Sequence, residues 1–560
     1  MIKLYSMNKL QRGFASITAG LFLLVCQQAV HSQAPQAPAD QQTPPPAGRP
    51  SGTGTQASEE AKQDSATKPE THITPEEAKQ LFGLVDQLIK FSSQETGLPI
   101  KSEVKRQLTT RTAVEKYLKE KFEDDEDAKR MQRSEIVLKK FGLLDRDFDL
   151  KPFLLALLKE QIAAYYDPKE KAVNLLDWVS IDEQKPVLAH ELTHALQDQH
   201  VNLEKWSDQT PADVSRTSSE DSSHLAKDEV DTARDAVTEG QATAVMMDNI
   251  LKPMGKSLVG DPEVVEIIKQ KMNGSEDSPV LARAPLLLSE SLLFPYREGL
   301  SFEQDVWMDR GQAAAFSGAL DRPPSSTWEI MNPREYESAH VASVPYLPDI
   351  HPLLDGTYRP YDIGQVGELD VQILAKLFSG EKAARDLTPA WDGGIYWAGQ
   401  KLNATAAEQA TTKSIAFFYL SVWRNEKSAS AFADLYADEL GRKYSGVKPD
   451  NSATKEAGAG GTERVWTTNE GPVVITQKGK MVFVAESFDL PVARKLTALI
   501  LDSQGSGPLQ SASKLSGKDG GQVIGKYSQP PSLSGPLVRL MSNCGVAKAV
   551  VDAGLKAARH

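Results

Sequence analysis

Val187-Leu188-Ala189-His190-Glu191-Leu192-Thr193-His194-Ala195-Leu196-Gln197 carries His-Glu-x-x-His inside an apolar, helix-compatible run. Residues four apart on a helix share a face, so His190 and His194 point side by side at one ion. Glu191, about 100° further round the axis, reaches a water on that ion without ligating it. Leu188, Leu192, Ala195 and Leu196 form a separate stripe that anchors the helix in a core. The pattern predicts a zinc site with a carboxylate general base. The competing reading is a chance occurrence of the same letters on an ordinary amphipathic helix.

A catalytic zinc takes three protein ligands and keeps one position open, so a third ligand is needed. His200 follows His194 by six residues, the spacing of the extended His-Glu-x-x-His-x-x-Gly-x-x-His motif. That motif turns the chain sharply at a glycine, whereas position 197 is Gln. On a continued helix His200 lies about 120° off the His194 face and does not converge with it. Glu239 is the alternative. It falls in residues 226–251, a segment of helical composition that follows a polar stretch, 207–223, read as a loop. Thr232, Ala236, Ala242 and Thr243 surround it on its face, and such small side chains let two helices approach closely. Glu239 is therefore the favoured third ligand.

Just before this helix, Ile162-Ala163-Ala164-Tyr165-Tyr166 and Ala172-Val173-Asn174-Leu175-Leu176 read as two strands, with Asp167 to Lys171 as their turn. The hairpin is either a strand pair edging a substrate cleft or an ordinary core hairpin. Tyr165-Tyr166-Asp167-Pro168, the run from His190 to His200 and Glu239-Gly240-Gln241-Ala242-Thr243 resemble a set of bacterial zincin-like proteins that carry His-Glu-Leu-Thr-His-Ala-Leu-Gln-Asp-Gln and a later Glu-Gly-x-Ala. The resemblance extends to Phe294-Pro295-Tyr296-Arg297-Glu298-Gly299, Pro323 to Thr327 and Asn332-Pro333-Arg334-Glu335-Tyr336. It covers roughly residues 163–336. It implies a gluzincin-type metallopeptidase with a Glu on a second helix as third ligand, and it implies no particular substrate. In the thermolysin pattern an Asp four residues after that Glu orients a ligand His. Position 243 is Thr, so Asp235 and Asp198 are candidates for this task. Tyr296 and Tyr336, in the resembling passages, are the candidate oxyanion donors, each equally at home as a packed aromatic.

The rest of the chain sets the context. Its 560 residues exceed one core, and its formal charge of −13 argues against nucleic acid or an anionic membrane as a general partner. Lys3, Lys9 and Arg12 precede a short apolar run, Phe14 to Val25, which reads as a secretory signal over 1–32. The expected mature protein is exported, periplasmic or extracellular, with no stable membrane span. A lipoprotein through Cys26 is disfavoured by the bulky Val25. Cys544 is then the one remaining thiol, read as buried or unreactive. Residues 33–73 are rich in Pro, Gln and Ala and predict a disordered linker. Thr74-Pro75-Glu76-Glu77 predicts a capped helix start.

The expected fold class is α+β. Residues 74–360 are expected to form a mainly helical zincin-like domain with a small edge hairpin, and 361–502 an α+β accessory domain, read as an imperfect repeat of strands followed by a helix. Residues 503–560 are read as a flexible linker and a short helical tail broken at Gly545 and Gly554. In the first domain, Pro295 is expected to end one helix, with another over 302–320. The function expected is zinc-dependent hydrolysis of a peptide or protein substrate, with Glu191 as base. The alternatives are a zincin-shaped binding or structural protein that cleaves nothing, and a zinc hydrolase of non-peptide bonds. Oligomeric state is not legible.

Overall fold

The computed structural model describes residues 72–124, 126–206, 216–272, 278–457, 461–505, 533–542 and 548–558. The expected signal, nearly all of the 33–73 linker, both cysteines and most of 503–534 lie outside these residues. Residues Lys68–His560 cluster as one unit.

Order starts where the capping chemistry places it. Glu77 N donates to Thr74 Oγ1 at 3.2 Å and Thr74 N donates back to Glu77 Oε2 at 2.8 Å. The helix Pro75–Thr96 buries Leu81, Val85 and Ile89, each contributing about 1.5–3 kcal/mol of burial. Its Ser92 hydroxyl donates to the Ala189 carbonyl at 3.2 Å, tying it to the His190 helix.

Strands β1 (Lys105–Thr109), β2 (Ala164–Asp167) and β3 (Ala172–Leu176) form a small sheet in the order β1-β3-β2. The expected hairpin is β2 and β3, antiparallel, with Asp167 Oδ1 accepting from the amides of Lys169 and Glu170 to close the turn. It is not a lone hairpin: β1 pairs with β3 in parallel, so β3 is central and wholly buried. The chain then enters the motif helix, Ile181–Val201, capped by Ser180. Gln184 accepts from Leu176 N and donates to Leu176 O and Val179 O, fixing the end of β3 to the start of that helix.

Part of the expected 207–223 loop is helical: Ser218–Leu225, capped by Thr217, while 207–215 lies outside the described residues. The Glu239 helix spans Val230–Leu251. A covering helix spans Leu286–Arg310 and corrects the expected break at Pro295. An interior proline costs about 3 kcal/mol, but Leu292, Leu293, Phe294, Tyr296, Leu300 and Phe302 are buried on both sides of it, and that burial holds the two halves in line. The helix expected over 302–320 is the end of this one; it stops at Arg310, and residues 314–318 form a single widened turn of π type.

Strands β4 (Tyr358–Gln365), β5 (Trp391–Lys401), β6 (Ile415–Trp423), β7 (Lys448–Pro449), β8 (Lys455–Ala457), β9 (Gly461–Thr468), β10 (Gly471–Lys478) and β11 (Met481–Glu486) form a second sheet. Its order is β4-β5-β6-β11-β10-β9-β7, with β8 also on β9, and its pairings are antiparallel. Its central strands, β6 and β11, are buried on both faces. Phe417, Tyr419, Val482 and Val484 pack toward the helical body, and Phe418, Leu420, Phe483 and Ala485 toward Leu490–Ser503 and His351–Leu354. The strand triplets β4-β5-β6 and β9-β10-β11 mirror each other about the β6–β11 pair. Their following helices, Glu426–Asp438 and Leu490–Ser503, lie on opposite faces, so the repeat stops at the strands.

A buried ionic group joins the sheet to the helical body. Lys140 Nζ donates to Glu470 Oε2 at 2.9 Å and Ser487 Oγ at 2.7 Å, and Glu470 also pairs with Arg146. Beside it Lys443 Nζ pairs with Glu486 at 2.5 Å. The tail helices Gly535–Ser542 and Lys548–Ala557 return to the helical body. Ser534 N donates to Asp370 Oδ1 at 3.0 Å and Ala549 N to Gln161 Oε1 at 3.1 Å. Gly554 does not interrupt the second of them; it is buried against Met247. The α+β class is as expected. No helix among the described residues is long and apolar enough to cross a membrane.

Candidate metal centre

The motif helix and the Glu239 helix meet where the sequence asks them to. His190 Nε2 and His194 Nε2 lie 3.0 Å apart, and Glu239 Oε2 is 3.0 Å from the first and 3.5 Å from the second. Donors held at 2.0–2.1 Å around a tetrahedral ion are about 3.3 Å apart, so the three atoms are spaced as ligands of one small cation. Among the described residues, these three buried side chains form a group that could hold a metal ion. Among the described residues neither Lys nor Arg pairs with Glu239; two imidazoles alone meet its charge.

Electrostatics follows from that arrangement. Burial on its own would lower the pKa of His194, but the charge and hydrogen bond of Glu239, the charge of Glu191 and the hydrogen bond His194 donates to Gln197 Oε1 outweigh it and push it up to about 9. Burial would raise Glu239, yet the two histidines bring it down to about 2. A buried carboxylate that stays ionised beside two imidazoles is a site that demands a cation, whether a proton or a metal.

His190 and Glu191 are wholly buried, and the His194 side chain keeps 11% of its surface, so the site opens on the His194 side. Tyr296, on the covering helix, is buried with its ring centroid 6.2 Å from that of His190. Tyr336 is engaged elsewhere: its hydroxyl donates to Arg322 O at 2.8 Å, its ring packs edge-on to Phe302, and Arg322 lies over its face. His200 is not brought to the cluster. The helix continues through Val201, and His200 Nε2 faces Asp321 Oδ1 at 2.9 Å.

Of the two candidates for orienting a ligand histidine, Asp198 is committed to the edge of the small sheet. It accepts from Tyr166 Oη at 2.8 Å, Lys171 Nζ at 2.6 Å and Leu203 N at 3.1 Å. Asp235 is buried on the Glu239 helix, one turn before Glu239. The partner of His194 is one that the sequence reading missed: Gln197 Oε1, 2.8 Å from His194 Nδ1. Its signal was present, since residues three apart on a helix are neighbours.

The Glu239 helix is held close by glycine. A Cβ on Gly240 would lie 2.3 Å from the Gly299 carbonyl oxygen, so the covering helix crosses at a distance that only glycine permits. This gives a physical reason for the Glu-Gly sequence at 239–240. No family model, no curated protein and no solved structure matches the chain.

Proposed function

We propose that this protein is an exported zinc-dependent metallopeptidase in which His190, His194 and Glu239 hold the metal and Glu191 is the general base. The observation that carries the reading is the convergence of two imidazole nitrogens and a carboxylate oxygen at ligand spacing, with an acidic residue adjacent to His190 on the same helix. Imidazole and carboxylate donors together suit zinc better than magnesium or calcium. Zinc in such a site supplies Lewis acidity that brings the pKa of water toward neutrality.

Glu191 then takes the proton of the attacking water and returns it to the leaving amine. Tyr296, beside His190, is the candidate donor to the developing oxyanion; Tyr336, with its hydroxyl on Arg322, is the weaker one. Strand β2 pairs only with β3 among the described residues, so its other edge can take an extended peptide by strand addition. The signal-like start at 1–32 supports export, and the acidic balance disfavours nucleic acid.

Near-complete burial of the cluster favours a second reading, a metal site that stabilises a binding protein without cleavage. Metal analysis and a peptide-library digest with and without chelator separate the two. The proposal expects one zinc per chain, lost in His190→Ala, His194→Ala and Glu239→Ala and retained in His200→Ala, with cleavage that the chelator abolishes. Zinc lost in His200→Ala and kept in Glu239→Ala would refute the ligand set. Full occupancy with no cleavage would favour the structural metal.

A further inference from the structure

We infer that Gln197 and Gln241 form an amide relay that sets the tautomer of His194, so that both are positioning residues for the metal; this rests on the metal reading above. The relay starts at the widened turn. Gln241 Nε2 lies 2.9 Å from Ala315 O and 3.0 Å from Phe316 O. Backbone carbonyls only accept, so the amide must present its NH₂ group there. Its Oε1 is thereby turned to Gln197, whose Nε2 donates to it at 2.9 Å and to Thr238 O at 3.0 Å. With its NH₂ group used twice, Gln197 has one end left, and Oε1 faces His194 Nδ1 at 2.8 Å. An amide oxygen accepts only, so His194 keeps a proton on Nδ1, and Nε2, which faces His190 and Glu239, is the nitrogen left to bind a metal once its own proton is displaced.

Each link is sealed from water: Gln197 and Gln241 are wholly buried. Water therefore cannot substitute for a lost partner, and the orientation of one amide dictates the next. Three segments are joined this way: the motif helix, the Glu239 helix and residues 314–318. His190 has no equivalent, since its Nδ1 lacks a hydrogen-bond partner among the described residues.

The chemical consequence concerns charge. A carboxylate behind a ligand histidine raises its basicity. A neutral amide oxygen fixes the same tautomer without adding negative charge. A metal held here would therefore face a His194 less basic than one backed by a carboxylate, and would keep more of its Lewis acidity and exchange more readily than in that arrangement.

The test uses the full chain, competitive zinc titration and nitrogen-15 histidine spectra. In zinc-loaded wild type the relay requires His194 bound through Nε2, with a slowly exchanging proton on Nδ1. Gln197→Met keeps the volume and removes the acceptor; it should weaken zinc binding roughly 10–100-fold and expose that proton to fast exchange. Gln241→Met leaves the acceptor but unlocks it, and should show the same exchange change with a smaller loss of affinity. A merely structural pair of amides predicts lower melting temperatures with zinc affinity and the Nδ1 proton unchanged, which would overturn the relay. So would binding through Nδ1 in the wild type, which decides the matter even if neither variant folds. If the wild type takes up no zinc, the metal reading falls. The relay is then judged on the metal-free chain in alkaline solution, where a neutral His194 protonated on Nε2 would overturn it.

Discussion

His194 sits between Glu239 and Gln197, and each of these oxygens draws a proton onto the ring nitrogen that faces it. In the metal-free chain its pKa rises from 6.5 to about 9, so its stabilising protonation is complete below pH 6.5 and is lost as pH rises through about 9. Glu239 falls from 4.5 to about 2, so its contribution is complete above pH 4.5 and is lost as pH drops through about 2. The cluster therefore supports the metal-free fold best between these limits. Melting curves of wild type minus those of His194→Ala isolate the effect. The difference should shrink from pH 6.5 to 9 without metal. Zinc must displace the same proton, so its affinity should rise about tenfold per pH unit over that range. A pH-independent zinc affinity would contradict the assignment of that proton. Sequence spacing alone placed His190 and His194 side by side, with the proposed base Glu191 next to them, because i and i+4 share a helical face. It did not supply the histidine's partner, since the orientation of Gln197 depends on Gln241 and on carbonyls at 315 and 316, more than a hundred residues away.

Helices and strands obeyed local chemistry where that chemistry was strong and departed where packing was stronger. The Thr74 capping box, the Asp167 turn and the β-branched and aromatic runs of β5, β6, β10 and β11 were legible. Strand β1 was not, because Lys105-Arg106-Gln107-Leu108-Thr109 is largely polar and exposed, and only its parallel pairing with β3 makes it a strand. Pro295 misled for the converse reason: core contacts on both sides override a breaker. The helix crossing at Gly240 and Gly299 gives the sharpest test at this scale. In Gly240→Ala the added Cβ would lie 2.3 Å from the Gly299 carbonyl, so the helices must separate. Stability should fall by about 1–3 kcal/mol in urea unfolding. Zinc binding should weaken with it, because Glu239 is the adjacent residue. Unchanged unfolding and zinc affinity together would show that the crossing is looser than described.

Across the whole molecule, one hydrophobic core runs from Leu81 in the first helix to Val484 in the second sheet, and the buried ionic group at Lys140 lies on the seam. Removing one member of a buried pair leaves the other charge uncompensated. Lys140→Met should therefore cost up to about 3–5 kcal/mol, less whatever Arg146 retains by holding Glu470, as read by urea unfolding. An unaltered midpoint would mean that the seam is held by apolar packing alone. Nothing in the sequence announced this group, since Lys140, Glu470 and Glu486 are ordinary surface residue types until the fold encloses them. The central claim, that this enclosed body presents a catalytic zinc, is tested most directly by Glu191→Gln, assayed beside wild type for zinc content and peptide cleavage. Zinc should stay near one per chain while turnover drops by at least roughly 10²–10⁴-fold, the usual cost of losing a general acid–base group. Cleavage by Glu191→Gln at the wild-type rate would contradict it.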